Sequence, residues 1–139
     1  MRSMLARYAG TVAVAVVAGS CSPSMQDDQD VLVNIVCTAR RVNVNINGWV
    51  IHKLPGNTIG IRFNGGGSGI TTLTLTPKDA ARWDFTPAPQ NGSYTLQDNA
   101  LFTLTHTGAR GTYRYTLTGQ CTTSAGTESF TIDPDIVVD

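Results

Sequence analysis

Tyr113, Tyr115, Leu117, Gly119 and Cys121 alternate with Arg114, Thr116, Thr118 and Gln120. Successive side chains of an extended chain point to opposite faces, so this segment reads as a strand with one apolar and one wet side. The same period recurs in Val31, Val33, Ile35 and Cys37, and in Val42, Val44 and Ile46 against Asn43, Asn45 and Asn47. It recurs again in Ile59, Ile61 and Phe63, in Leu73 and Leu75 between threonines, and in Phe102, Leu104 and His106. A last strand is expected over residues 130–132, resuming over 136–138 beyond a kink at Pro134. Turn residues separate these runs at Pro55–Gly56–Asn57 and in residues 64–69, 90–93, 108–111 and 124–126. Seven or eight short strands so punctuated predict an all-β fold, a single antiparallel β-sandwich. One short helical turn is expected, with Thr76 as N-cap, Pro77 in the first turn, Asp79 as capping carboxylate, and Arg82 near its end.

Composition narrows the class of partner. The 139 residues are 41% hydrophobic and 14% charged, which allows a core and argues against a solvated, disordered chain. Ten Lys plus Arg balance ten Asp plus Glu, which excludes the strongly basic surface of a general nucleic-acid binder, and no nucleic-acid partner is expected. The charge is nevertheless uneven. Residues 31–127 hold eight Lys plus Arg and three acids, while both ends are acidic. The plain reading is an ordinary solvated surface; the alternative is attraction to an anionic one.

The first twenty residues carry Arg2 and Arg7 and then an uncharged run centred on TVAVAVVAG. That is the pattern of an export signal, with an apolar stretch well short of the roughly 20 residues needed to span a bilayer. The segments read as 1–20 signal peptide, 21–29 lipidated N-terminus and tether, and 30–139 β-sandwich domain. Ala18, Gly19 and Ser20 before Cys21 resemble the lipobox of bacterial lipoproteins. The resemblance implies that Cys21 is the first mature residue, carries a diacylglycerol on its thiol and is acylated on its amino group. Two or three acyl chains give stable anchoring where one gives marginal binding. Ser22 in place of Asp favours outer-membrane delivery by the same resemblance, so the expected location is the cell envelope, as an outer-membrane lipoprotein facing the periplasm. The alternative is plain secretion, because Ala18 and Ser20 also satisfy the small-x-small rule of the general signal peptidase.

With Cys21 assigned to lipid, Cys37 and Cys121 remain as a pair, and an oxidising compartment makes a disulfide the expected outcome. A bridge between residues 84 apart contributes roughly 4 kcal/mol in the loop-entropy model. The alternative is a metal site combining both cysteines with His52 and His106, which lacks any close-spaced ligand pair. No metal and no cofactor are expected.

Trp49, twelve residues after Cys37, resembles the immunoglobulin-type order of cysteine, tryptophan and second cysteine. Trp83, Asp84 and Phe85, the strand GTYRYTLTG, and Asp133, Pro134, Asp135 and Ile136 resemble a group of small bacterial β-sandwich proteins with W-x-F, Y-x-Y and D-P-x-I motifs. Both resemblances imply fold and no activity.

Catalytic chemistry finds little to work with. No G-x-S-x-G elbow is present, and paired cysteines leave no thiol for attack. Asp79, Asp84 and Asp98 are candidate carboxylates for glycoside hydrolysis without recognisable partners. The run FNGGGSG at 63–69 lacks the G-K-[ST] ending of a phosphate loop and reads as a flexible hairpin loop. Trp49, Trp83 and Tyr94 are candidates either for the core or for a platform stacking on sugar rings. The expected function is a non-enzymatic binding or structural role at the envelope. It is exercised through an envelope protein or glycan that the sequence does not name, and the oligomeric state is likewise left open. The alternatives are a secreted carbohydrate-binding module and a metal-dependent hydrolase.

Overall fold

The computed structural model describes residues 29–38, 41–65, 69–70 and 72–139. Cys21, the expected signal peptide and most of the expected tether lie outside the described residues. Eleven strands follow one another: β1 (Val31–Cys37), β2 (Val42–Asn47), β3 (Val50–Lys53), β4 (Thr58–Asn64), β5 (Thr72–Pro77), β6 (Phe85–Thr86), β7 (Tyr94–Gln97), β8 (Phe102–His106), β9 (Gly111–Thr123), β10 (Gly126–Ile132) and β11 (Asp135–Val138). Among the described residues this exceeds the seven or eight expected, because two to four residues, as in β3, β6 and β7, are too few for a period of two to declare itself.

The strands form two packed sheets. One runs β2-β1-β4-β8-β6, the other β3-β11-β9-β5-β7. Strand β9 is the spine of the second sheet. It pairs with β5 along one edge, and with β11 and then β10 along the other. The break between β10 and β11 falls at Pro134, whose ring removes a ladder donor while its carbonyl accepts the Tyr115 N–H at 3.2 Å. The expected kink is there.

Alternation sets the core. Val31, Val33, Ile35, Ile59, Ile61, Phe63 and Leu104 come from the first sheet, and Leu73, Leu75, Leu96, Tyr115, Leu117 and Ile136 from the second; each is at most 1% exposed. Full burial of each such side chain contributes about 1.5–3 kcal/mol. Cys37 on β1 and Cys121 on β9 form the expected disulfide, with Cα atoms 5.9 Å apart, so the bridge ties one sheet to the other.

Four features differ from the expectation. Strands β1 and β4 pair in parallel, as do β3 and β11, so the sheets are mixed rather than wholly antiparallel. The glycine-rich run after β4 is not a hairpin loop, because β4 belongs to the first sheet and β5 to the second. Pro77 opens no helix: it ends β5, buried opposite Tyr115. A single 3-10 turn, Ala80–Arg82, follows, with Asp79 at its N-cap making no side-chain capping bond. Finally, Trp49 is 50% exposed just before β3, outside the core that was one of the two places expected for it.

Candidate functional site

The wet face of β5, β7, β9 and β10 carries the most regular polar array among the described residues. Thr74 pairs with Thr95 on β7 and with Thr118 on β9, and Thr118 pairs with Thr131 on β10. Four threonines therefore stand side by side across four neighbouring strands, about 4.8 Å from one to the next. Ser129 and Gln120 form the adjacent pair. Part of this face, from β5 across β9 to β10, is hollowed into an open groove of about 560 Å³ lined by Thr72, Thr74, Thr118, Gln120, Ser129 and Thr131. No charged side chain lines it. The alternation places these hydroxyls outward because Leu73, Leu75 and Leu117 between them are buried. Gly119 and Phe130 complete the floor, and Phe130 packs against the core. Such a surface offers paired donors and acceptors without a formal charge, and its one ring, that of Phe130, is half-buried in the floor.

The residues singled out from sequence do not converge on that groove. Trp83 and Tyr94 are core residues, the indole N–H donating to the Tyr94 hydroxyl at 3.0 Å, and neither forms a stacking platform. Burial pushes the Tyr94 hydroxyl pKa upward, and the Trp83 bond partly offsets it. Asp98 accepts the Gly65 N–H at 2.8 Å, which fixes the start of the glycine-rich run. Asp79 faces Arg82 at 4.0 Å on the surface.

Asp84 and His106 belong to one buried latch. His106 is 3% exposed; its Nδ1 accepts the Gly56 N–H at 3.3 Å, so Nε2 carries the proton and donates to the Ala109 carbonyl at 2.8 Å. The Tyr113 hydroxyl donates to Asp84 Oδ2 at 2.9 Å and also lies against the Ala109 carbonyl. Asp84 accepts the Ala109 N–H as well, at 3.2 Å. Burial first, then the hydrogen bond and negative charge of Asp84, push Tyr113 up to about 12. Asp84, His106 and Tyr113 together hold Thr107 and Ala109 against β6, β8 and β9. The arrangement contains a carboxylate, a phenol and an imidazole, but both imidazole nitrogens are committed to backbone partners.

The cysteines and histidines do not assemble into a metal centre. The thiols are bonded to each other, His52 Nδ1 lies 2.9 Å from Asp139 Oδ2 at the surface, and His106 is held as above. Among the described residues no group of three or more His, Cys, Asp or Glu side chains is placed to hold a metal ion.

Folding offsets part of the uneven charge of the sequence. Lys53 pairs with Asp30 at 2.7 Å, Lys78 with Asp133 at 3.2 Å, and Arg114 with Asp135 at 3.8 Å. Three acids near the ends thus meet three cations of the body, Lys53, Lys78 and Arg114, and reduce its basic excess. Comparison of the chain with protein-family models, with curated proteins and with solved structures finds no match.

Proposed function

We propose that this is an exported, lipid-anchored protein of the cell envelope, in which Cys21 carries the anchor and the sandwich has a non-enzymatic binding role. The disulfide carries the reading. A cross-link between the two sheets is characteristic of domains that fold in an oxidising compartment, and with Cys37 and Cys121 joined, Cys21 is the cysteine left for acylation. The run of small residues before Cys21 supports a bacterial lipoprotein, delivered to the outer membrane and facing the periplasm. The non-enzymatic part is supported by Asp84, Asp98 and His106, each of which has a structural partner of its own. Replacing Cys21→Ser in the full chain is expected to abolish acyl labelling and release the protein from the membrane fraction. Unchanged fractionation would defeat the reading.

A second reading concerns the ligand. The aligned threonines and the uncharged groove fit a neutral, hydroxyl-rich chain such as a polysaccharide, recognised through hydrogen bonds to the threonines. Titration with neutral oligosaccharides, followed by NMR of backbone amides, is expected to perturb β5, β9 and β10. A Thr118→Arg variant is expected to lose that response. Uniform silence across a broad glycan array would count decisively against this ligand class.

A further inference from the structure

Trp49, Val50 and Leu54 are 50%, 54% and 64% exposed, and they fall within six consecutive residues on and beside β3. Strand β3 is the edge of the second sheet, and its outward residues are Val50 and His52. Isolated exposed apolar residues are ordinary, whereas a run of large ones on a sheet edge marks a contact surface.

The same strand brackets the point where the chain enters the domain. The Asp30 carbonyl approaches Gly48 so closely that a Cβ at residue 48 would lie 2.5 Å away, and Gly48 holds φ +94, a conformation suited to glycine. At the other end of β3, Lys53 Nζ meets the Asp30 carboxylate at 2.7 Å. Asp30 is fixed further by its N–H to the Gly60 carbonyl at 2.7 Å and by the Gly60 N–H to its carboxylate at 2.9 Å. The chain between Cys21 and Asp30 reaches at most about 30 Å when fully extended. An anchor at Cys21 therefore keeps the Asp30 end of this edge within about 30 Å of the bilayer.

We infer that Trp49, Val50 and Leu54 form a membrane-contacting edge that rests in the headgroup layer of the bilayer holding the Cys21 acyl chains. The inference rests on the lipid-anchor reading. Tryptophan suits that depth, with an apolar body and one polar N–H. The headgroup layer also leaves partners for the outer backbone groups of β3, which the hydrocarbon interior would not. Lys53 is engaged by Asp30 and His52 lies 2.9 Å from Asp139, so the contact made by Trp49, Val50 and Leu54 is apolar and survives high salt, unlike an electrostatic one.

The test uses the full acylated chain in vesicles of phosphatidylethanolamine and phosphatidylglycerol containing phosphatidylcholine brominated on its acyl chains. The chain has two tryptophans, and Trp83 is buried. The expected result is loss of part of the tryptophan emission in brominated vesicles, unchanged at high salt and absent from a Trp49→Phe variant. Intact mass measurement of the same material reports acylation of Cys21. Acylated protein whose Trp49 emission is untouched by the brominated lipid overturns the membrane-contacting edge and leaves the anchor standing. Protein without acyl chains overturns both.

Discussion

Phe130 and Gly119 face each other across β9 and β10, and the phenyl ring fills the space that a side chain at residue 119 would occupy. A Cβ there would lie 2.5 Å from Phe130 Cζ and 3.1 Å from a Leu73 methyl carbon. Glycine at this point of β9 lets an aromatic ring from the next strand close the end of the core. Gly119→Ala is expected to destabilise the domain by about 2 kcal/mol through displacement of that ring, and to alter the floor of the groove. Chemical denaturation measures the first effect. A wild-type midpoint would show that the ring moves aside without penalty.

Tyr115 is fully buried, and its hydroxyl has no hydrogen-bond partner among the described residues. Removing that oxygen removes an uncompensated polar group, so Tyr115→Phe is expected to be neutral or to stabilise by about 1 kcal/mol. Tyr115→Ala, which empties the same space, is expected to cost about 3–5 kcal/mol. Thermal unfolding of the pair separates them. A Phe variant markedly less stable than wild type would mean that the hydroxyl is satisfied after all.

Joining the sheets through Cys37 and Cys121 confines the unfolded chain as well as the folded one. Replacing both by Ala is expected to remove roughly 4 kcal/mol of stability. Reduction of the wild-type protein should lower its denaturation midpoint to that of the double variant. Identical midpoints for the oxidised and reduced wild type would show the cross-link to be energetically idle.

Tyr113 gives the protein an alkaline limit. Its folded pKa is raised from 10.0 to about 12, so both states hold the proton below pH 10 and the stabilisation is fully present there. Above pH 10 the unfolded chain releases the proton first, and stability falls progressively until the folded state titrates near pH 12. Tyr115, pushed upward mainly by burial with a contribution from Asp135, adds to the loss in the same direction. Melting temperatures across this range, followed together with tyrosinate absorbance, test it. Asp84→Asn is expected to move the tyrosinate transition of Tyr113 downward, and an unmoved transition would remove Asp84 as a cause.

The sequence revealed the parts of this fold that a period of two encodes directly. The inward set from Tyr113 to Cys121, the break at Pro134 and the pairing of two cysteines follow from local pattern and counting. The parallel partners of β1 and β3 do not, because alternation specifies a face and says nothing of the neighbour. Thr76, Pro77 and Asp79 carry the same residue types at a strand end as at a helix start, and the alternation of Leu73, Leu75 and Pro77 is what decides between them. The threonines of the groove were visible only as wet positions on separate strands; their alignment depends on register between segments far apart in the chain. Trp49 was ambiguous for a related reason, since a tryptophan beside a short strand reads alike whether it packs inward or faces water.

Strand β11 joins β3 to β9, and among the described residues β3 has no other route into its sheet. A ribosome delivers β3 long before the residues that complete this seam, so the second sheet cannot close while synthesis of the domain is under way. Such a chain stays pliable until late, which suits the export proposed above.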